Sequence, residues 1–325
     1  MTPVQTGAVE IGRVTVVGAG AIGASWATLL RHHGLDVVVT DPAPGAEAAL
    51  RGEVDVRLGE LGSSATGDLV FTADLERAGR DADLVLESGP ERLDVKREIY
   101  AALDRSTRYD VVLASSSSGL PPSSFQDACA GHPERVLVAH PFNPPHLVPL
   151  VEVVGGRLTT EEPIRTVTAF LRRLGRTPVR IRRELPGHVA NRLQAALWRE
   201  AYHLVGQGAI SVADLDLLVS SGPGLRWALL GPLATQHLSG GPAGLEHVLA
   251  HLGPPMVEWW ADLGDPQLTP ELIDRLVAGV RDELAGRERD VLARRDLALG
   301  DLLDVKARHG LDQGPVTATA GVPDA

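Results

Sequence analysis

Residues 13–34 read RVTVVGAGAIGASWATLLRHHG, and this stretch decides the fold. A short apolar run passes through Gly18, Gly20 and Gly23 into apolar residues at helical spacing. The pattern G-x-G-x-x-G between a strand and a helix is typical of a dinucleotide-binding turn, because glycine lets a pyrophosphate approach the backbone. The N-terminus of the following helix attracts phosphate charge. The predicted cofactor-binding residues of this turn are Gly18, Gly20, Ala21, Ile22 and Gly23.

The next apolar run, DVVVTD, ends at Asp41. In a dinucleotide-binding fold, a carboxylate at this position accepts hydrogen bonds from the ribose hydroxyls of the adenosine. Its negative charge repels a 2'-phosphate, so the sequence favours NAD over NADP as the cofactor. The structural alternative is that Asp41 is a turn or cap residue before Pro42.

Apolar runs then alternate with helical patterns as far as the run TPVRI at residues 177–181. A helix is predicted at about residues 45–61, and the segment SSFQDACA is interpreted as a further helix that buries Cys129. This alternation predicts an α/β fold, a Rossmann-type doubly wound parallel sheet with helices on both faces. Ligands of such sheets bind at the carboxyl ends of the strands, where Glu87, the serines at 115–118 and His140 all fall.

Residues 140–154, HPFNPPHLVPLVEVV, place a histidine at the end of one apolar run and a glutamate inside the next. The prolines between them exclude a helix, so we expect a turning loop and a returning strand that brings Glu152 beside His140. A carboxylate among Leu and Val residues is costly to bury without a partner. The alternative is that His140 bonds to a backbone carbonyl and Glu152 faces water on an edge strand.

Two other strand ends carry polar side chains with two interpretations each. Glu87 either contacts the cofactor near the nicotinamide or pairs with Lys96 or Arg97. The serine run at 115–118 either hydrogen-bonds a substrate oxygen or forms a flexible turn.

The chain from residue 186 onward shows helical patterns only, and we place the domain boundary at residue 185. This gives an NAD-binding domain at 1–185 and a helical domain at 186–325 for substrate binding and dimerisation. Ser211 and Thr269 are predicted helix N-caps. Asn191, in the first turns of the first helix, either reaches the cleft or is simply a polar surface residue. A helical domain rich in Leu and Ala is a frequent dimerisation unit, so we expect a homodimer.

Composition excludes several classes of protein. The net charge of −11, from 31 basic and 42 acidic residues, argues against binding to nucleic acid or to an anionic membrane. The single cysteine excludes an intrachain disulfide, and no histidine spacing indicates a metal site. The N-terminal MTPVQTGAVE lacks an export signal and no long apolar segment occurs, so we expect a cytoplasmic protein.

Together these motifs resemble the 3-hydroxyacyl-CoA dehydrogenase family. The resemblance covers most of the chain and rests on Asp41 and the segments GAGAIG, ESGPERLDVKREIY, ASSSSGL, AHPFNPPHLVPLVEVV and PGHVANRL. Within the family, three segments look most like the carnitine 3-dehydrogenase and L-gulonate 3-dehydrogenase (lambda-crystallin) branch, which acts on free 3-hydroxy acids. These segments are DPAPGAEAAL, HPFNPPHLVPLVEVV and GPGLRWALLGP.

The resemblance implies roles for the polar residues. His140 would be the general base that takes the 3-hydroxyl proton, and Glu152 would orient the imidazole and stabilise its charged form. Ser118 would hydrogen-bond the reacting oxygen, and Asn191 would complete the polar site. Glu87, Glu91 and Lys96 are expected beside the nicotinamide ribose, and Ser116 is a further predicted cofactor-binding residue.

Three further residues are candidates for binding the substrate. They are Ser117, Arg226, which could pair with a carboxylate, and Trp227, which could offer an aromatic face to a quaternary ammonium. The expected activity is NAD-dependent oxidation of the 3-hydroxyl of a small L-3-hydroxy acid, or the reverse. A CoA- or carrier-bound acyl substrate is the alternative. The resemblance disfavours a CoA thioester, because the family's acyl-CoA enzymes carry a longer helical insertion after the ribose acid that helps hold the CoA, and here only residues 42–68 are available. A non-catalytic dinucleotide-binding protein is the alternative of another class.

Overall fold

In a computed structural model, the chain is described for residues 11–63 and 67–312. Residues 1–10, on which the prediction of a missing export signal depends, lie outside the described residues. The chain divides into two compact units, one as far as Arg192 and one from Leu193 onward.

The first unit is built on one eight-stranded sheet with the strand order β3-β2-β1-β4-β5-β6-β7-β8. Neighbouring strands from β3 to β6 pair in parallel, β7 runs antiparallel to β6, and β8 is parallel to β7. The strands are β1 (Arg13–Val17), β2 (Asp36–Thr40), β3 (Leu69–Thr72), β4 (Leu84–Glu87), β5 (Val112–Ser115), β6 (Val136–Pro141), β7 (Leu150–Gly155) and β8 (Thr177–Ile181). The predicted Rossmann-type sheet is confirmed, including the returning strand.

Helices cover both faces of this sheet. They are α1 (Ala21–His32), α2 (Ala46–Glu60), α3 (Leu75–Gly79), α4 (Leu93–Ser106) and α5 (Glu161–Arg173). Successive strand residues separate into two cores, since Leu84 and Leu86 pack with α1 and α5 while Val85 packs with α4. This separation follows from the alternation of side chains along a strand, so continuous apolar runs are needed in strands buried on both faces.

The prediction of a helix at SSFQDACA is wrong. The structure has two short 3-10 turns there, Pro122–Ser124 and Gln126–Ala128, separated by Phe125. Side-chain hydrogen bonds interrupt helical continuity, because the Ser123 hydroxyl donates to Glu184 and the Ser124 hydroxyl donates to the Pro121 carbonyl. Cys129 is buried as predicted, though outside a helix, and burial raises the pKa of its thiol to about 12.

The second unit contains only helices among its described residues. They are the continuation of α6 (Ala190–Gly206), then α7 (Val212–Ser221), α8 (Pro223–Leu229), α9 (Pro232–Ser239), α10 (Gly244–Asp262), α11 (Pro270–Leu284) and α12 (Glu288–Arg308). Ser211 and Thr269 are confirmed as N-caps, since their side chains accept hydrogen bonds from Asp214 N and Leu272 N. In the part of the chain that is described, no helix is long and apolar enough to span a membrane.

The turn before α6 belongs to the first unit. Residues 186–192 follow the boundary predicted at 185, yet they group with the sheet. Hydrogen bonds explain this grouping, since Gly187 N donates to the Gly119 carbonyl and Val189 N donates to the Glu152 carboxylate. The segment therefore carries polar groups to the carboxyl end of the sheet.

Candidate functional site

The turn between β1 and α1 forms an open cradle of backbone. Gly18 has φ +97°, and a Cβ on it would lie 2.6 Å from the Ser88 carbonyl oxygen. A Cβ on Gly23 would lie 1.9 Å from the Gly18 carbonyl oxygen, so helix and turn approach too closely for any other residue. At Gly20 a Cβ would meet nothing within 4 Å, and no side chain caps the helix N-terminus. This cradle fits a pyrophosphate held by backbone N–H groups.

Asp41 lies beside the same turn. Its Oδ2 accepts a hydrogen bond from Ala19 N at 2.8 Å, and its Oδ1 accepts one from Ala43 N at 2.9 Å. It lines a cavity of about 750 Å³ together with Gly18, Gly20 and Ser88. The carboxylate thus forms its own turn and also faces the space next to the glycines, which fits the adenosine ribose of a dinucleotide.

Glu87 and Lys96 form a closed ion pair beneath the strand ends. Lys96 Nζ lies 3.0 Å from both oxygens of Glu87, and both side chains are almost completely buried. The Ser115 hydroxyl and Gly89 N also donate to the Glu87 carboxylate, at 2.6 and 2.7 Å. This geometry is the ion-pair alternative considered for Glu87. Direct contact of either residue with the cofactor stays a prediction.

The serines after β5 differ in their surroundings. The Ser116 hydroxyl accepts a hydrogen bond from Trp26 Nε1 at 3.1 Å and lies 3.0 Å from the Ser88 hydroxyl. The buried Ser117 hydroxyl donates to Glu91 at 2.7 Å. Ser118 is exposed, and its hydroxyl has no hydrogen-bond partner among the described residues. Ser118 is therefore the serine of this segment whose hydroxyl is open to a ligand.

Glu91 binds the serine segment through hydrogen bonds. Its carboxylate accepts one from the Ser117 hydroxyl and one from Gly119 N at 3.0 Å, and Lys96 Nζ lies 3.6 Å away. Burial acts to raise the pKa of Glu91, but these partners outweigh it and the pKa is lowered. The ionised carboxylate therefore holds the turn that presents Ser118.

His140 and Glu152 face each other across β6 and β7, where they are register partners. His140 Nδ1 lies 3.0 Å from Glu152 Oε2, and the two residues are only 7% and 2% exposed. The water-facing alternative for Glu152 is wrong, since β7 lies between β6 and β8. The other carboxylate oxygen, Oε1, accepts from Val189 N at 2.9 Å and from Ala190 N at 3.0 Å.

These contacts keep Glu152 ionised. Burial acts to raise its pKa, but the hydrogen bonds from His140, Ala190 N and Val189 N outweigh burial and lower the pKa. A carboxylate accepts hydrogen bonds only, so Nδ1 of His140 carries a proton and Nε2 of the neutral ring has the free lone pair. The pair can therefore accept a proton at Nε2, with the resulting charge stabilised by Glu152.

The turn before α6 and the first residues of α6 contribute side chains that contact the serine segment. Asn191 Nδ2 donates to the Ser118 carbonyl oxygen at 2.9 Å, so the predicted Asn191 does reach the serine segment. His188 was not among the residues predicted for the site. It is fully buried, its Nε2 lies 3.0 Å from the Ser117 carbonyl oxygen, and its ring centroid lies 5.5 Å from that of His140. Its place in PGHVANR, three residues before Asn191, was the signal that could have found it.

Arg226 and Trp227 lie in the second unit. They line a cavity of about 680 Å³ that also contains His247 and His251, whose ring centroids are 4.1 Å apart. The guanidinium suits a carboxylate, and the indole face suits a cationic group such as a quaternary ammonium. Their part in substrate binding stays a prediction.

Comparison with known proteins gives matches along nearly the whole described chain. The sequence-family model for the NAD-binding domain of 3-hydroxyacyl-CoA dehydrogenase matches residues 13–185. The family model for the C-terminal domain matches residues 187–279. An L-carnitine dehydrogenase of Pseudomonas aeruginosa is 45% identical, with 93% of this chain and 97% of the relative covered. An L-carnitine dehydrogenase of Streptomyces coelicolor is 43% identical, with 94% and 98% covered.

A solved structure is similar over the same length. It is 5-formyl-3-hydroxy-2-methylpyridine 4-carboxylic acid 5-dehydrogenase, an NAD+-dependent dismutase, with a TM-score of 0.79 and 30% identity. The match covers 91% of this chain and 99% of that structure. These similarities confirm the predicted NAD cofactor and the predicted class, an NAD-dependent oxidoreductase.

Proposed function

The chain belongs to the 3-hydroxyacyl-CoA dehydrogenase family, and from that premise we propose that it oxidises L-carnitine at its 3-hydroxyl to the 3-keto acid with NAD. The observation that carries this proposal is the full-length similarity to L-carnitine dehydrogenases. The buried pair His140–Glu152 at the carboxyl end of the sheet supports it, because oxidation of an alcohol needs a base next to the hydroxyl.

Each polar residue of the first unit has a part in this reaction. As the C3–O double bond forms, His140 Nε2 accepts the hydroxyl proton, and Glu152 stabilises the imidazolium through Nδ1. Ser118 donates its free hydroxyl to the reacting oxygen, and Asn191 holds the backbone of that serine. NAD, when bound, supplies the acceptor for the hydride that leaves C3.

Backbone groups would hold most of the cofactor. The glycines of the β1–α1 turn leave room for a pyrophosphate, and Asp41 would accept hydrogen bonds from the ribose hydroxyls of the adenosine. Because the negative charge of Asp41 would repel a 2'-phosphate, NADP is the poorer cofactor. In the reverse direction, His140 returns the proton to the keto oxygen.

A CoA thioester is the second candidate substrate. The family's name favours it, but between β2 and β3 the described chain offers only α2 and its connections, which leaves little to hold a CoA chain. The full-length similarity to enzymes named for a free 3-hydroxy acid also favours the small substrate.

The enzyme is proposed to be a homodimer that assembles through the helical unit. This unit exposes large apolar side chains in the single chain, among them Leu217 and Leu218 of α7 and Trp259 and Trp260 of α10, each between 58% and 63% exposed. A second copy could cover such side chains, since burial of apolar surface drives most association. The cytoplasm is the proposed location, in keeping with one buried free thiol.

The test is a substrate panel of L-carnitine, L-gulonate, L-3-hydroxybutyrate and L-3-hydroxybutyryl-CoA, with NAD reduction followed by absorbance. We expect the highest kcat/KM with L-carnitine. Turnover of the thioester alone would establish the CoA alternative. Binding of NAD with no turnover of any compound would instead support the non-catalytic alternative.

A further inference from the structure

The turn at residues 186–191 ties the serine segment to the carboxylate of the catalytic pair. On one side, His188 Nε2 lies 3.0 Å from the Ser117 carbonyl oxygen and Asn191 Nδ2 lies 2.9 Å from the Ser118 carbonyl oxygen. On the other side, two consecutive backbone N–H groups of the turn bond to Glu152 Oε1. One short segment therefore determines where Ser118 lies relative to Glu152, and through Glu152 relative to His140.

The backbone of His188 is unusual. Its φ of +49° lies in the left-handed region, which few residues other than glycine adopt, and it follows Gly187 with φ +73°. This conformation places the imidazole inside the protein, where it is 0% exposed, and directs the next two N–H groups to Glu152. Such a backbone persists only where surrounding contacts hold it, and here those contacts belong to the proposed site.

The hydrogen bond from His188 to the Ser117 carbonyl locates a proton on Nε2. A carbonyl oxygen can only accept, so Nε2 carries the proton and donates it to Ser117, and Nδ1 then has the lone pair. Nδ1 is buried and has no partner among the described residues. Burial lowers the pKa of His188, and it outweighs the hydrogen bond to the Ser117 carbonyl, which acts to raise the pKa. His188 therefore stays a neutral donor and leaves the proton transfer to His140.

We propose that His188 is a positioning residue of the dehydrogenase site, which acts by holding the Ser117 carbonyl so that the Ser118 hydroxyl meets the reacting oxygen next to His140. This inference rests on the proposed function. His188 and Asn191 hold two consecutive carbonyls, and the Ser118 hydroxyl is the free group between them. Without the bond from His188 the Ser117 carbonyl loses its side-chain donor, although Asn191 still holds the Ser118 carbonyl and Glu91 still binds the turn. The Ser118 hydroxyl is then less precisely aligned with the reacting oxygen.

Two substitutions separate the hydrogen bond from the volume of the ring. His188→Phe keeps a ring and removes the donor, whereas His188→Gln keeps an N–H donor at the reach of Nε2. We expect kcat to fall at least about tenfold in H188F and to recover to within about threefold in H188Q, with an unchanged KM for NAD. H188N, whose shorter amide cannot reach the Ser117 carbonyl, serves if H188F does not fold. His132→Gln, a half-exposed histidine paired with Glu134, is the matched control and should leave kcat unchanged.

A double-mutant cycle tests whether His188 acts through Ser118. In an S118A background, H188F should cause little further loss of kcat, because the hydroxyl that it positions is already absent. Wild-type kcat in H188F, or a full additional loss in S118A/H188F, would overturn the inference.

A measurement without substrate separates this inference from the proposed function. Amide hydrogen exchange over residues 116–119 should become faster in H188F and stay near wild type in H188Q. Unchanged exchange in H188F overturns the positioning role even if the enzyme oxidises L-carnitine. Conversely, a protein that turns over none of the panel can still show the faster exchange, and then the proposed substrate fails while the hydrogen bond stands.

Discussion

His140 and Glu152 occupy opposite positions on two antiparallel strands, and their Nδ1 and Oε2 atoms lie 3.0 Å apart in a nearly closed environment. The other carboxylate oxygen accepts two backbone N–H groups, from Val189 and from Ala190 at the start of α6. A pair held this rigidly fixes the direction of His140 Nε2, which is what a general base needs.

Loss of either member of the pair should reduce catalysis and spare cofactor binding. We expect H140Q to lower kcat by about 10²- to 10⁴-fold, the usual contribution of a general base, and E152Q to lower it by a smaller factor. NADH binding, measured by fluorescence titration, should stay within about twofold of wild type, because the cradle and Asp41 lie in a separate part of the unit. Retained turnover in H140Q would contradict the assignment of the base, with H132Q as the control.

Asp41 should set both the affinity for NAD and the preference over NADP. Removal of hydrogen bonds to a charged group costs about 1.5–3 kcal/mol, so D41A should raise the KM for NAD by roughly ten- to a hundredfold. D41A should also improve the ratio of kcat/KM for NADP over that for NAD, because the repulsion of the 2'-phosphate disappears. D55N, an exposed acid on α2, is the control. An unchanged KM for NAD in D41A would contradict the role of Asp41 in binding the adenosine ribose.

The sequence predicted the sheet and the pair because both depend on local patterns. The glycine spacing and the continuous apolar runs determine a parallel sheet, and prolines between His140 and Glu152 leave only a loop and a returning strand. The strand register then makes the two residues partners. In the same way, Ser211 and Thr269 could be recognised as caps because capping depends on residues only three apart.

What the sequence did not reveal depends on contacts between distant segments. The helix predicted at SSFQDACA failed because Ser123 bonds to Glu184, far along the chain. The position of His188 three residues before Asn191 places it near the site, but it does not reveal that the side chain turns inward to the Ser117 carbonyl. That orientation depends on a left-handed backbone at His188. For Glu87, both alternatives were open until the structure placed Lys96 against both of its oxygens.

Lys96 should be essential for folding stability. K96M leaves the Glu87 carboxylate buried without its charged partner, which should cost about 3–5 kcal/mol of the free energy of unfolding. The double variant E87Q/K96M should recover part of this loss, because no buried charge remains. Urea denaturation without NAD measures both, with K306M on α12 as the matched lysine control. Wild-type stability in K96M with a raised KM for NAD would instead indicate that Lys96 serves the cofactor.

Glu152 should make the stability of the first unit depend on acid pH. Its pKa in the folded protein lies below the ordinary value of 4.5, so its stabilising contribution is present above that value and is lost as the pH falls through the folded pKa. From about pH 5.5 to about pH 3.5, wild type should therefore lose more free energy of unfolding than E152Q. In the control Glu162→Gln, which replaces an exposed acid on α5, the free energy of unfolding should depend on pH as in wild type. Equal slopes in wild type and E152Q would contradict the lowered pKa.

Arg226, which lines a cavity of the second unit with Trp227, is predicted to recognise the carboxylate of the substrate. Loss of charge-assisted hydrogen bonds should raise the KM for L-carnitine by roughly ten- to a hundredfold in R226A, with a smaller effect in R226K. Comparison with the amide of L-carnitine sharpens the test, because the amide lacks the negative charge. Wild type should prefer the acid over the amide, and R226A should lose most of that preference while its KM for NAD stays unchanged. R289A, an exposed arginine on α12, is the control, and a preference that survives in R226A would remove Arg226 from the site.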